Sequence, residues 1–204
     1  MFYVKLCGVS MASLLYCVSS QPFAQYIDES TFPEMTELLD NIASPLDLDH
    51  LRRAVHLALE AEKRGNLPIG AVVTVDDEII SEAGNALLVP HYHPGRHAEM
   101  EALGRIDAKL WPRSREMTCY TTLEPCVMCM GALLLHGFGR VVFGTSDPEG
   151  GAGRVLSHLP DYYAGGTAGV PLWIGPVLPE LCDPLYARVK ERFDRLPCGK
   201  ANFL

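Results

Sequence analysis

The chain lacks a second close pair of cysteines. Of its 7 cysteines only Cys126 and Cys129 lie near each other, and the odd count with wide spacing forms no disulfide framework. A reducing compartment is the simpler setting, so cytoplasmic residence is expected. Internal repeats and low-complexity linkers are absent, which excludes a solenoid or a string of modules. No apolar run is long enough to span a bilayer stably. Lys and Arg are missing from residues 28–49, where 7 of the 25 acids fall. Outside that stretch 18 acids face 17 bases, so the net charge of -8 is largely local and excludes no RNA partner.

What is present suits one domain. The 204 residues are 48% apolar and 21% charged, values of a globular protein with a buried core. Residues 1–25 carry one Lys, a mostly apolar run and then small residues, loosely a secretory signal. Export to the periplasm is the alternative location if they act as one. A disordered leader, or a true start near Met35, would account for them equally. Residues 1–43 are read as leader and residues 44–204 as the domain.

Ser44, Pro45 and Asp47 form a helix start, with a cap, a proline in the first position and an acid three residues on. Leu51, Val55 and Leu59, flanked by Ala54, Ala58 and Ala61, predict a helix that stops at Gly65. "IGAVVTV" and "EIISEAGN" read as strands joined by an Asp76-Asp77 turn. A short helix over "HAEMEALGRI", a strand over "MTCYTT", an apolar helix closed by Gly137 and a strand over "RVVFGT" follow. After an irregular Gly-rich stretch come a strand broken by Gly175 and Pro176, then a helix from about Asp183 to Leu196 through Leu185, Val189 and Phe193. Helices alternating with strands predict a three-layer α/β domain.

Cys126 and Cys129, three apart at a helix start, share one face, and the helix dipole favours their thiolates. A redox pair and a zinc pair fit this equally. A structural zinc normally takes four protein ligands, and a redox pair would leave His97 and Glu99 unused. An open site uses all four: His97, Cys126 and Cys129 on Zn²⁺, with Glu99 spare as a proton carrier. Two thiolates and a neutral imidazole also offset the metal's charge. Positions i and i+2 diverge on a regular helix, so His97 must stand at the helix end.

"LPIGAVV", "HAEMEAL", "TLEPCVMCMGALL" and "RVVFGTSD" occur in that order within about residues 48–156. Together they resemble the cytidine deaminase-like superfamily, nearest its tRNA adenosine, guanine and cytosine deaminase branch. The resemblance implies a three-layer α/β/α sandwich with a central mixed sheet and one Zn²⁺ per chain held by His97, Cys126 and Cys129. Hydrolytic deamination of a cyclic amidine is the implied reaction, with Glu99 moving protons and ammonia leaving. The backbone N–H of Cys126 would face the developing oxygen. Asn85 falls near the substrate-binding Asn of the family, one residue further from His97 than the family pattern; a turn-forming Asn is the other account.

The expected substrate is a small-molecule base or nucleoside. The resemblance also leaves a tRNA-specific adenosine-to-inosine deaminase open, and a non-catalytic zinc-stabilised binding module is a third reading. Arg188, Lys190, Arg192, Arg195 and Lys200 make the last helix basic, which suits either an RNA backbone or a solvated face. The long stretch from Gly150 to Pro171 is read as a cover over a small pocket. Similar proteins are commonly homodimers, although no exposed apolar helix face is visible in the sequence. Met128, Met130, Leu133, Leu134 and Trp173 read as core, and His136 as a satisfied helix-end residue. Trp111 reads as surface packing, His91, Tyr92 and His93 as solvated loop, and Tyr162-Tyr163 as able to close over a planar base.

Overall fold

In the computed structural model, residues 43–164 and 169–195 are described. The leader, Ala43 excepted, and Leu196 and Lys200 therefore lie outside the described residues. Helix α1 (Pro45–Lys63) opens with the expected capping box: Ser44 Oγ accepts the Asp47 N–H, and Asp47 Oδ2 accepts the Ser44 N–H at 2.7 Å. It ends at Arg64, and Gly65 turns the chain away at φ +92°, a left-handed conformation that suits glycine. The buried stripe is Leu51, Ala54, Leu57, Ala58 and Ala61, whereas Leu59 is 38% exposed. A strict four-residue spacing drifts round a 3.6-residue helix, which is why Leu59 leaves the face that Leu57 takes. Burying Leu51 and Leu57 stabilises the fold by roughly 1.5–3 kcal/mol each.

Strands β1 (Gly70–Val75) and β2 (Glu78–Gly84) form a hairpin, with Asp76 and Asp77 both at positive φ in its turn. Helix α2 (Ala98–Leu103), β3 (Thr118–Leu123), α3 (Val127–Leu135) and β4 (Arg140–Thr145) follow. A four-residue α4 (Asp161–Ala164), a short β5 (Leu172–Ile174) and α5 (Pro179–Asp194) complete the chain. The five-stranded sheet runs β2-β1-β3-β4-β5; β1 is antiparallel to β2 and β3, while β3, β4 and β5 are parallel. It is the mixed sheet of a three-layer α/β/α sandwich. Val72, Tyr120 and Val142 pack with α1 and the start of α5 on one face. Ala71, Val73, Cys119 and Val141 pack with α2 and α3 on the other. Both faces are covered, so β1 is buried at every position and shows no polar alternation.

Two placements differ from the expected ones. Helix α5 begins at Pro179, before Asp183, and carries Pro184 inside it. The first turn holds because the Leu181 and Cys182 N–H groups both bond the Leu178 carbonyl, and buried Cys182 packs against Gly144, where a Cβ would lie 2.3 Å from its sulfur. Among the described residues after Gly150, none up to Pro171 covers the pocket described below. Leu156, Leu159 and Tyr163 pack against Met130 and Leu134 of α3, which takes them and the tyrosine pair away from it.

Asp47 ties α1 to the sheet as well as capping it. Its carboxylate accepts hydrogen bonds from Tyr120 Oη at 2.7 Å and from both Arg140 amino groups at 3.0 and 3.1 Å. Burial alone would raise this carboxyl, but the bonds from Arg140, the Ser44 N–H and Tyr120 hold it below its ordinary value of 3.8. The stability it contributes is therefore complete above that value and is lost as pH falls through the lower folded-state pKa. Asp47→Ala is expected to cost about 3 kcal/mol, the lower end for a broken buried pair. Urea denaturation at pH 7 measures this; a cost under about 0.5 kcal/mol, typical of a plain surface change, would make the network incidental.

Candidate metal centre and active site

Two helices start close together, one of them just beyond the carboxyl end of the central strand β3. His97 is the N-cap of α2 in extended conformation, φ -69° and ψ 156°, and its side chain makes no capping bond. Cys126 is the N-cap of α3 in the same way, φ -71° and ψ 171°. Cys129, one turn further, lies on the same side. The three side chains meet: His97 Nδ1 stands 3.6 Å from each sulfur, and the sulfurs are 3.8 Å apart.

These distances suit a tetrahedral zinc. Metal bonds of about 2.3 Å to sulfur and about 2.0–2.1 Å to nitrogen place tetrahedral donors about 3.8 Å (S to S) and about 3.6 Å (S to N) apart. Among the described residues this is the one group of His, Cys, Asp and Glu donors arranged to hold a metal ion. Cys126 and Cys129 are both free thiols, as are Cys119 and Cys182. The hydrogen bond between the two sulfurs pushes the Cys126 thiol down to about 4 against the effect of burial, and the Cys129 thiol is pushed up by that same bond and by burial.

Glu99, 4% exposed, sits behind this group. Its Oε1 accepts the Thr121 hydroxyl at 3.1 Å, and its Oε2 lies 3.5 Å from Cys129 Sγ. Burial raises its carboxyl above the ordinary range, with His97 opposing. His97 can share the site with Glu99 because, as the cap, it is extended while Glu99 is already helical.

Asn85 is buried and faces the same cavity. Its Oδ1 accepts the Leu87 N–H at 3.1 Å and the Leu67 N–H at 3.4 Å, and its Nδ2 has no partner. The oxygen of the amide thus serves the turn, while its nitrogen is left without a bond.

The cavity has a volume of about 310 Å³, at the low end of small-molecule pockets, roughly 300–1,000 Å³. It opens beyond the carboxyl ends of parallel β3 and β4, where α/β folds place their ligands. Leu67, Ile69 and Leu87 form an apolar wall, and Tyr186, Val189 and Phe193 of α5 form the opposite one. Asp147 and Glu149 after β4, and Asp194 of α5, also line it. Sequence reasoning missed this wall: Val189 and Phe193 read only as the apolar stripe of the last helix, and no role was given to Asp147. Its position at the end of β4 was the available signal.

The cations of α5 are spent within the fold. Arg188 bonds both Glu62 oxygens at 2.7 and 3.0 Å, Arg192 bonds the Gly65 and Asn66 carbonyls at 2.8 and 3.2 Å, Lys190 pairs with Glu149 and Arg195 with Glu191. His91, Tyr92 and His93 are exposed on their loop and do not line the cavity. His136 stacks on half-buried Trp111, ring centres 4.9 Å apart, which gives both a packing role. Met130, Leu133 and Leu134 are core as expected, but Met128 is 40% exposed.

A donor set of this kind on a three-layer sandwich marks a class, the zinc-dependent deaminases, hydrolases that act on carbon–nitrogen bonds. Residues 45–145 match the model of the cytidine and deoxycytidylate deaminase zinc-binding region. The tRNA-specific adenosine deaminase of Bacillus subtilis (strain 168) is 40% identical over 112 residues, 54% of this chain and 68% of that protein. A probable cytosine deaminase of Schizosaccharomyces pombe is 37% identical over 105 residues, 51% of this chain and 63% of that protein. A structure from a study of A-to-I editing by tRNA:A34 deaminases superposes with a TM-score of 0.52 at 28% identity, covering 62% of this chain and 96% of that one. The chain belongs to the cytidine and deoxycytidylate deaminase zinc-binding family.

Elemental analysis of the purified protein is expected to find one zinc per chain, and His97→Ala and Cys129→Ser each to lose most of it. A Cys126–Cys129 disulfide with little zinc in the unmodified protein would sink the metal assignment.

Proposed function

We propose that this chain hydrolyses the amidine group of a free nucleobase or nucleoside and releases ammonia. His97, Cys126 and Cys129 hold the zinc in this reading, Glu99 is the proton carrier, and the Asn85 amide binds the ring. Bound zinc would supply Lewis acidity, making hydroxide available from water near neutral pH. Glu99 takes the proton of the attacking water and passes it to the ring nitrogen as the oxygen bonds to the amidine carbon. The remaining hydroxyl proton then travels through Glu99 to the amine, the carbon–nitrogen bond breaks, and a ring carbonyl and ammonia are left. Burial suits Glu99 to this task, because a carboxyl raised above its ordinary range holds a proton long enough to hand it on.

The observation that carries the choice of substrate is the rim of the cavity. Asp147, Glu149 and Asp194 line it, and among the described residues its one lining Lys or Arg, Lys190, is already paired. Such a rim repels phosphate, and Arg188 and Arg192 of α5 are engaged by Glu62 and by the Gly65 and Asn66 carbonyls, which disfavours a polyanionic substrate. The relatives named for tRNA adenosine keep that substrate as the second reading.

We further propose a homodimer. On α3, Val127, Met128 and Leu135 are 56%, 40% and 55% exposed beside Gly131, which has open space around it. An apolar helix face of this kind, hidden in the sequence because the whole helix is apolar, is characteristic of an interface. Cytoplasmic residence fits a site that needs both thiols reduced.

Ammonia release is to be measured on guanine, adenine, cytosine, their nucleosides and a tRNA anticodon stem. Turnover of a base or nucleoside is expected; turnover of the RNA alone would overturn the reading. Glu99→Ala should keep its zinc and lose about 10²–10⁴-fold in rate. Unchanged turnover in that variant would remove Glu99 from the chemistry. Light scattering should give twice the chain mass of 22.4 kDa, and Leu135→Glu should reduce it to one.

A further inference from the structure

The carboxylate of Glu124 sits in a socket made by the loop that follows β4. Its Oε2 accepts the Asp147 N–H and its Oε1 accepts the Gly153 N–H, each at 3.0 Å. A Cβ on Gly151 would lie 2.4 Å from Oε2, and one on Gly153 would lie 2.7 Å from Oε1. The loop backbone can therefore close round the carboxylate only because both positions are glycine. The neighbouring backbone reinforces the socket: the Glu124 N–H bonds the Thr145 carbonyl at 2.8 Å, and the Ala152 N–H bonds the Pro125 carbonyl at 2.9 Å. Gly151 also bridges to Cys126.

From this loop the connection runs to the opposite wall. Asp147 Oδ1 accepts the N–H groups of Glu149 and Gly150, each at 3.0 Å, and the Tyr186 hydroxyl at 2.7 Å. Glu149 pairs with Lys190, one turn along α5 from Tyr186, and the Lys190 ammonium lies 5.9 Å from the Tyr186 ring centre. Glu124, Asp147 and Tyr186 thus form one line from the end of β3 to α5.

We propose that Glu124 is a positioning residue that sets the substrate wall of the cavity. Charge-assisted bonds from its two oxygens hold the 147–153 loop, and through Asp147 and Tyr186 they hold α5 in register with the strand end that delivers Cys126. Both oxygens are taken by loop amides, so Glu124 acts on substrate affinity through Asp147 and α5. This rests on the reading that the cavity binds the substrate.

Glu124→Gln keeps the shape but turns an amide N–H₂ toward one of the loop N–H groups. Its expected effects are faster hydrogen exchange over residues 147–153 and 186–194, unchanged zinc content, and KM raised about tenfold with kcat held within about threefold, the pattern of lost binding. Tyr186→Phe, which removes only the far link, should raise KM less, and the double variant should be no worse than Glu124→Gln alone, as for residues acting in series. Unchanged exchange over 147–153, or loss of zinc with a parallel fall in kcat, would overturn the proposal. If the unmodified protein turns over no compound of the panel, the exchange measurement still decides the matter: faster exchange in both segments upholds the coupling and leaves only the substrate reading to fall.

Discussion

Everything at the site depends on two helices beginning within a few ångströms of each other. An N-cap residue is half outside its helix, so its side chain is free of the helical repeat while its Cα is fixed by the first turn. His97 and Cys126 both use that position, and neither spends its side chain on capping. The sheet brings the two caps together. α2 packs against β1 and β2, α3 follows directly from β3, and the β1–β3 register, with Val73 opposite Cys119, sets how far apart they sit. A slip of one residue in that pairing would turn every side chain of β3 to the other face. Thr121 would then leave Glu99, and the α3 cap would shift along the sheet.

The electrostatics follow from the same arrangement. Two sulfurs and a buried carboxylate converge here: the bond between the sulfurs favours the Cys126 thiolate and raises Cys129, and burial raises Glu99. A divalent cation relieves the crowding and leaves the carboxyl available for protons. The cavity beyond adds four more acids, Glu124, Asp147, Glu149 and Asp194, and one paired lysine. An acidic, partly apolar cavity of this kind is what the proposed reading of a small uncharged ring rests on.

Much of this was legible in the sequence because it was local. Ser44, Pro45 and Asp47 announce a helix start through contacts three residues long, and the two aspartates at positive φ announce the hairpin. The His97, Glu99, Cys126 and Cys129 set is legible because zinc chemistry restricts both residue type and spacing. The substrate wall is long-range and was not. Val189 and Phe193 sit on the apolar stripe of an amphipathic helix, and a stripe states that a residue is covered without stating by what. The helix expected from about Asp183 starts one turn earlier, where Cys182 packs on Gly144, a contact the local sequence does not show. The charges of α5 looked like a surface because the carbonyls of Gly65 and Asn66, which take Arg192, are over a hundred positions away.

That last contact bears on how the protein is made. Every donor of the metal site has been synthesised once Cys129 emerges, whereas Tyr186, Val189 and Phe193 follow only after β4 and β5, with the arginine that fastens α5 to the far end of α1. In order of synthesis the metal donors are therefore complete before the α5 wall of the cavity exists.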